Sequence, residues 1–150
     1  MIIISACLVG VNCRYNGLSV ENKELLHLIN SGKAIAICPE VLGNLPIPRD
    51  PCEIQTINGE LKVISKSGRD CTAEFCDGAE RTLNICNAAN AKYAILKANS
   101  PSCGFGKIYD GTFTSTIIDG NGITANLLSS NGIAVLNENN YSEFLSAIKA

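Results

Sequence analysis

The chain has 150 residues, of which 46% are hydrophobic and 17% are charged, and this balance excludes a disordered protein. The formal net charge is −2 and no basic block occurs, so the sequence predicts no binding of nucleic acid or of anionic membranes. No apolar run approaches the ~18 residues of a membrane span. The length suits one domain, and we predict a single domain over residues 1–150.

Four short apolar runs are predicted to be strands, at residues 2–6, 34–37, 91–96 and 133–136. Helical patterns separate them. The first is capped by Ser19, the second is capped by Thr72, the third lies near residues 123–128, and the last begins near Asn140. Alternating strands and helices predict an α/β fold of the Rossmann-like kind, a parallel sheet flanked by helices.

Two turn signals interrupt this alternation. Asn58-Gly59, between two β-prone runs, predicts a small inserted β-hairpin. Asp110-Gly111, between Tyr109 and Thr112, predicts a second small hairpin.

The chain contains eight cysteines, which is high usage but below that of a disulfide mini-scaffold. A chain of this length can fold without cross-links, and its start fits a first strand better than a secretory signal. We therefore predict reduced thiols and a cytoplasmic protein. In that compartment, clustered cysteines indicate metal binding or catalysis more often than disulfides.

Three of the cysteines stand in the same relation to predicted strands. Cys7 follows the first strand, Cys38 follows the second, and Cys103 lies in the small-residue turn after the third, Ser100-Pro101-Ser102-Cys103-Gly104. If these strands are parallel neighbours, their carboxyl ends share the sheet edge where open α/β folds place their sites. The pattern then predicts that three thiols converge on one spot.

The other five cysteines have weaker signals. Cys76 and Cys86 fall on an apolar helix face and are predicted to be small core residues. Cys52 and Cys71 have no partner at ligand spacing and are predicted to be structural. Cys13 lies in the loop after the first strand and is placed to reach the same sheet edge.

Several kinds of thiol site were compared. Structural zinc and thioredoxin-type redox chemistry both favour C-x-x-C pairs, which the sequence lacks, and the single histidine, His27, lies among leucines of a predicted helix. Widely separated cysteines from three loops fit an iron–sulfur cluster better, because a cluster is several ångströms across and takes thiolates from different directions.

Three thiolates on a four-iron cluster leave one iron open, and an open iron is a soft Lewis acid with an affinity for sulfur. Removing sulfur from a thiocarbonyl there also needs a group that activates water and handles protons. Glu40, two residues after Cys38, is a candidate, although a loop carboxylate held by backbone N–H groups explains it equally well. Ser100 and Ser102 are candidate hydrogen-bond donors to cluster or substrate, with local turn bonding as the alternative.

Several motifs, in this order, resemble the signature of the thiouracil desulfidase family. They are Ser5-Ala6-Cys7-Leu8, Cys13-Arg14-Tyr15-Asn16-Gly17, Cys38-Pro39-Glu40-Val41-Leu42-Gly43, Gly68-Arg69-Asp70, Ser100-Pro101-Ser102-Cys103-Gly104 and Ile108-Tyr109-Asp110-Gly111-Thr112-Phe113. The resemblance runs over essentially the whole chain. Cys52 is a departure, because the family pattern leads us to expect a smaller residue there.

The resemblance implies a [4Fe-4S] cluster held by Cys7, Cys38 and Cys103, with the fourth iron capturing the sulfur of 2-thiouracil. It implies Glu40 as the catalytic glutamate and Ser100, or alternatively Ser102, as the helper serine. Cys13 also belongs to the family pattern, either as a ligand in place of Cys7 or as a sulfur acceptor.

The predicted function is therefore a non-redox, iron–sulfur-dependent desulfidase that converts 2-thiouracil, a small thionated base, to uracil and hydrogen sulfide. Two alternatives remain at this point. One is a sulfurtransferase that uses the same cluster and passes sulfur to a thiol such as Cys13. The other is a metal- or cluster-binding module without catalysis.

Overall fold

The molecule is organised around a four-stranded parallel sheet, seen in a computed structural model that describes residues 1–149 and the side chains of residues 1–146. Ala150, the last residue of the predicted domain, lies outside the described residues. In chain order the strands are β1 Ile2–Ser5, β2 Ala34–Ile37, β3 Cys52–Ile57, β4 Glu60–Ser65, β5 Tyr93–Leu96, β6 Lys107–Tyr109, β7 Ile117–Asp119 and β8 Ala134–Asn137.

The central sheet has the order β2-β1-β5-β8, and all neighbouring strands are parallel. Strand β1 lies between β2 and β5, so that Ile3 pairs with Ile35 on one side and with Ala94 on the other. All four residues of β1 are buried, as expected for a parallel strand covered on both faces. The predicted α/β fold and the predicted adjacency of the first three parallel strands are confirmed.

Helices cover both faces of this sheet. Their bounds are α1 Lys23–Asn30, α2 Pro39–Leu42, α3 Thr72–Ala88, α4 Ile123–Ser130 and α5 Tyr141–Lys149. One face packs with α1 and α5, where Ile4 shares a core with Leu25 and Leu145. The other face packs with α3 and α4, where Ile3 shares a core with Cys86 and Leu128. The alternating side-chain directions of β1 therefore supply both cores.

Two helix starts differ from the sequence-based expectation. Asn22, not Ser19, caps α1, because its side-chain oxygen accepts the Leu25 N–H at 3.1 Å. Cys71, not Thr72, is the N-cap residue of α3. Thr72 is already helical, and its hydroxyl accepts the backbone N–H of Val63 at 2.9 Å, which ties the helix to the hairpin instead of closing its own first turn.

The hairpin of β3 and β4 is confirmed, with Asn58 and Gly59 both at positive φ (53° and 81°), as a two-residue turn of this kind requires. The second hairpin, β6 with β7, is also present. Its connection is longer than the predicted tight turn, because residues 110–116 form a loop that is closed by a 2.9 Å hydrogen bond from Asp110 N–H to Thr116 O.

The short helix α2 was not predicted, although it places two candidate site residues. Cys38 ends β2 and is the N-cap residue, and Pro39 occupies the first helical position, where its missing N–H costs nothing. The helix then crosses α3 at two glycines. A Cβ atom on Gly78 would lie 2.0 Å from Pro39 O, and one on Gly43 would lie 2.0 Å from Glu74 O. Close backbone contact with α3 therefore fixes the start of α2.

The two cysteines that were predicted to lie on a buried helix face differ in exposure. Cys86 is fully buried in the core, as predicted, whereas Cys76 is exposed, and its assignment to the core is wrong. Cys76 directly follows the buried Phe75, and adjacent residues on a helix do not share a face. Among the described residues, no helix is long and apolar enough to cross a membrane.

Candidate functional site

A cavity of about 310 Å³ lies at the carboxyl ends of β1, β2 and β5. The chain steps from β1 to β2 on one side and then crosses to β5 on the other, so this is the place where the strand order reverses. Open α/β sheets bind their ligands at such a switch point, because the loops leaving the two central strands diverge there. The topology alone therefore makes this cavity the principal candidate site.

Five thiols line the cavity: Cys7, Cys13, Cys38, Cys52 and Cys103. Three of these cysteines follow the ends of β1, β2 and β5. Cys7 lies in the single 3-10 turn Ala6–Val9 that follows β1, Cys38 caps α2, and Cys103 lies in the turn after β5. The prediction that these three cysteines share one edge agrees with their positions in the structure. Cys13, in the loop between β1 and α1, is a fourth member and is only 3% exposed.

Cys13 lies between two of the strand-end thiols. Its pKa is raised to about 11, because the side-chain hydrogen bond with Cys38 lowers the pKa but the hydrogen bond with Cys7 and burial outweigh that effect. The Cys38 thiol also donates to Cys13 O at 3.8 Å. The hydrogen bond with Cys13, and then burial, raise the pKa of Cys38 far above its usual range.

Burial raises the pKa of Cys103 to about 12, against the opposing effect of the hydrogen bond from Ser5. Ser5 Oγ donates to Cys103 Sγ at 3.4 Å and accepts the Lys97 N–H at 2.9 Å, so it links the ends of β1 and β5. A nucleophilic catalytic cysteine has a lowered pKa, whereas the pKa is raised for four of the cavity-lining thiols, Cys13, Cys38, Cys52 and Cys103.

The Cys103 turn is built by its serines. Ser100 Oγ accepts the N–H of Cys103 at 2.7 Å and the N–H of Ser102 at 3.2 Å, and Ser100 lines the cavity. Ser102 is buried, does not line the cavity, and shares a 2.8 Å hydrogen bond with Thr124. A Cβ atom on Gly104 would lie 2.8 Å from Ser100 O, so the tight turn needs a glycine there.

Glu40 lines the cavity beside Cys38 and is paired with Arg49. The Arg49 Nε atom lies 3.3 Å from Glu40 Oε1, and the two side chains are 6% and 18% exposed. Burial raises the pKa of Glu40, and the charge of Arg49 and its hydrogen bond oppose that rise. The alternative reading of Glu40, a carboxylate held by backbone N–H groups, does not describe this geometry, because the partner is a guanidinium group.

The donor set was tested against two kinds of metal centre. Among the described side chains, no three His, Cys, Asp or Glu residues are arranged to hold a single metal ion. A four-iron cluster makes a different demand, because its thiolates bind separate irons and need not converge on one point. Among the five cavity-lining thiols, Cys7, Cys38 and Cys103 follow three different strands and fit that demand.

Sequence reasoning missed several residues of the cavity. Arg49 had a signal in its position between two prolines, but nothing in the spacing linked it to Glu40. Lys97 lines the cavity and pairs with Glu138 at 2.8 Å. Glu53 and Phe113 also line it, and they come from the two hairpins, whose place in the fold no local pattern indicated.

Cys52 and Cys71 are closer than their spacing suggested. Burial raises the pKa of Cys52 to about 12, and the charge of Cys71 and a side-chain hydrogen bond with it add to that rise. Cys52 also lines the cavity. The two cysteines lie on opposite edges of β4 and pack in one core cluster with Phe75, and the prediction that both are structural stays a prediction. Both thiols are free.

The fold and the cavity define an α/β protein with a sulfur-donor site at the switch point of its sheet. A model of the 2-thiouracil desulfurase family matches residues 2–140, which is most of the chain. The chain therefore belongs to the 2-thiouracil desulfurase family. The family predicted from the motifs is confirmed.

Two known proteins are similar over almost their whole length. YbbK of Bacillus subtilis (strain 168) is 42% identical over 151 residues, which cover 97% of this chain and all of YbbK. A solved structure of the [4Fe-4S]-dependent thiouracil desulfidase TudS superposes with a TM-score of 0.89 at 45% identity, covering 99% of this chain and 97% of that one. At this identity, the likeness extends beyond the fold.

Proposed function

We propose that this protein is a [4Fe-4S]-dependent desulfidase that converts 2-thiouracil and water to uracil and hydrogen sulfide. The observation that carries the proposal is the group of five thiols lining one cavity beside the paired side chains of Glu40 and Arg49. Family membership supports it. The similarity to TudS, a [4Fe-4S]-dependent enzyme, supports the choice of cofactor.

Cys7, Cys38 and Cys103 are the proposed ligands of the cluster. Each follows a different strand of the sheet: Cys7 and Cys38 lie within two residues of a strand end, and Cys103 lies in the hydrogen-bonded turn after β5. Held by three thiolates, a [4Fe-4S] cluster supplies an open iron, a soft Lewis acid with an affinity for thiocarbonyl sulfur. Cys13 is proposed to stay outside the ligand set, as a buried neighbour that hydrogen-bonds the other thiols.

Glu40 is the proposed proton-transfer group. The reaction replaces the C=S bond of thiouracil by a C=O bond whose oxygen comes from water, and the two protons of that water leave with the sulfide. Glu40 takes a proton from the attacking water and returns it to the departing sulfur. Because Arg49 holds Oε1, we assign the proton transfer to Oε2.

Ser100 is the proposed helper serine. Its oxygen already accepts two backbone N–H groups, so its own hydrogen is available for donation into the cavity. The proposed acceptor is a polar atom of the substrate. Ser102 has a supporting part, because its hydroxyl bonds with Thr124 away from the cavity and thereby fixes the turn against α4.

The remaining predictions stay proposals. We propose one domain over residues 1–150, a small thionated base as the partner, and no binding of nucleic acid. We also propose a cytoplasmic location, which the eight free cysteines, all within the described residues, support.

Anaerobic reconstitution followed by a thiouracil assay tests the proposal. The wild-type protein is expected to release uracil, measured by liquid chromatography, together with an equal amount of sulfide. The matched control is Glu40→Gln, which keeps the shape of the side chain and removes its carboxylate. We expect Glu40→Gln to retain iron and to lose turnover. A wild type that carries iron but releases no more sulfide than Glu40→Gln would overturn the proposal.

A further inference from the structure

The cavity contains aromatic side chains that the proposed chemistry does not use. Tyr15, Tyr109 and Phe113 line it together with the thiols. The chain has four tyrosines, four phenylalanines and no tryptophan, so three of its eight aromatic residues line this one cavity. A binding site for a planar ring commonly combines aromatic walls with a few polar groups.

Phe113 is held in an unusual backbone conformation. Its φ is 58°, and Ser115, two residues later and also lining the cavity, has a φ of 60°. A bulky residue in the left-handed region is an outlier, because its Cβ crowds the neighbouring backbone. Such strain persists where the surrounding structure enforces it, and it is concentrated at ligand clamps and active sites.

The surrounding structure does enforce this conformation. Glu53 is 8% exposed, and its Oε1 accepts the N–H of Gly111 at 3.0 Å and the N–H of Phe113 at 3.1 Å. Gln55 Nε2 donates to Gly111 O at 2.8 Å. Gly111 lies so close to β3 that a Cβ atom on it would be 2.7 Å from Ile54 O. The β3–β4 hairpin therefore holds the loop between β6 and β7 in place.

The loop also restrains itself. The Asp110 side chain accepts the N–H of Thr112 at 2.9 Å, and the Thr114 hydroxyl hydrogen-bonds both Thr112 and Thr116, at 2.6 and 2.8 Å. Phe113, between these polar residues, is the large apolar side chain of the loop and is half-buried. A partly exposed ring on a fixed backbone at a cavity wall is suited to stacking on a ligand, because little backbone freedom is lost on binding.

We propose that Phe113 is the platform on which the substrate ring stacks, and that Glu53 is the positioning residue that holds this platform. The proposal rests on the proposed function and adds the basis of its substrate selection. The site therefore suits a planar heterocycle that stacks face to face on the Phe113 ring, in the way that nucleobases stack on aromatic side chains.

Phe113→Asn is the most informative variant, because asparagine tolerates positive φ and removes the ring. We expect its KM for thiouracil to rise roughly tenfold with little change in kcat, as for the loss of one stacking partner. We also expect its thermal unfolding temperature to stay level or rise, because the backbone strain is relieved. Phe113→Tyr keeps a ring and should retain the wild-type KM.

Phe105→Asn is the matched control, since Phe105 is exposed, belongs to the neighbouring turn and does not line the cavity. It should leave KM unchanged. Glu53→Ala should raise KM in the same direction, and combining it with Phe113→Asn should add little further, because both act through one contact.

A second readout separates this inference from the desulfidase proposal. Saturation-transfer NMR of the cluster-free protein with uracil is expected to show transfer for wild type and Phe113→Tyr, and a much weaker signal for Phe113→Asn. Equal signals for wild type and Phe113→Asn, no signal from wild type, or equal KM values for Phe113→Asn and Phe105→Asn would each overturn the inference. Absence of thiouracil turnover in wild type would instead overturn the proposed function.

Discussion

Arg49 links Glu40 to the backbone of Cys13 in the candidate site through one buried side chain. Its Nε lies 3.3 Å from Glu40 Oε1, its Nη2 donates to Cys13 O at 2.9 Å, and its Nη1 donates to Pro46 O at 3.1 Å. Glu40 comes from α2, and Cys13 comes from the loop after β1. The ion pair therefore orients the Glu40 carboxylate, and the hydrogen bond to Cys13 O fixes the loop that carries Cys13.

Removing Arg49 should be costly, because it leaves a buried carboxylate without its counter-charge. Arg49→Met is expected to lower the free energy of unfolding by about 3–5 kcal/mol, measured by urea denaturation. The double variant Arg49→Met/Glu40→Gln should recover part of this loss.

Arg69→Met is the matched control for that experiment. Arg69 pairs with Glu74 at the same 3.3 Å distance, but its side chain is 63% exposed. An exposed pair contributes little, so we expect a loss below about 1 kcal/mol. Equal losses for the two arginine variants would show that burial does not increase the contribution of the Arg49–Glu40 pair to the free energy of unfolding.

The crossing of α2 and α3 gives a prediction whose sign is unusual. Replacing glycine by alanine inside a helix ordinarily stabilises it by about 0.5–1 kcal/mol. Gly78→Ala should instead destabilise the protein, because the new Cβ atom would meet Pro39 O, and the displaced α2 should carry Cys38 and Glu40 out of place. Circular dichroism melting and iron content after reconstitution measure the two effects.

Asn84→Ala, on the same helix, controls for helix propensity, and it should leave iron content unchanged. A Gly78→Ala protein that is more stable than wild type and binds normal amounts of iron would contradict the packing described here.

The cysteines can be sorted by single serine substitutions. Cys7→Ser, Cys38→Ser and Cys103→Ser should each reduce iron and the cluster absorbance after anaerobic reconstitution, because each removes a proposed ligand. Cys13→Ser should retain the cluster and most of the thiouracil turnover, and exposed Cys76 supplies the neutral control, Cys76→Ser.

This series also separates the two enzyme alternatives. A sulfurtransferase that passes sulfur to Cys13 would lose turnover in Cys13→Ser while keeping its cluster. Loss of the cluster itself in Cys13→Ser, with retention in Cys7→Ser, would make Cys13 the ligand in place of Cys7.

The two serines of the Cys103 turn should behave differently. Ser100→Ala removes the cavity-lining hydroxyl and frees two backbone N–H groups, so we expect kcat to fall about tenfold, as for the loss of one hydrogen bond. Ser102→Ala strands the buried Thr124 hydroxyl, and we expect a stability loss of about 1–3 kcal/mol with kcat nearly unchanged. Steady-state kinetics and urea denaturation of both variants check this. The opposite pattern would make Ser102 the helper.

Much of this site could be predicted because parallel strands align their carboxyl ends. Cys7, Cys38 and Cys103 each follow a recognisable apolar strand, so a local pattern and one topological rule brought them together. The tertiary contacts had no such signal. Arg49 reaches Glu40 only because the proline-containing loop folds back over α2, and Glu53 reaches Phe113 because two hairpins pack together.

The predicted start of α3 was wrong for a similar reason. Threonine is a common helix-cap residue, but the Thr72 hydroxyl accepts the Val63 N–H of the hairpin instead. This tertiary hydrogen bond outweighed the local capping preference. Cys76 failed differently, because it follows buried Phe75 directly and so points away from the core that Cys86 enters.

A single turnover in water enriched in oxygen-18 tests the central claim most directly. Anaerobically reconstituted protein is mixed with 2-thiouracil, and the uracil is analysed by mass spectrometry while sulfide is measured in the same sample. The account predicts one oxygen-18 atom in each uracil formed and one sulfide released per uracil. Iron-loaded protein that forms no uracil, or uracil without the label, would contradict it.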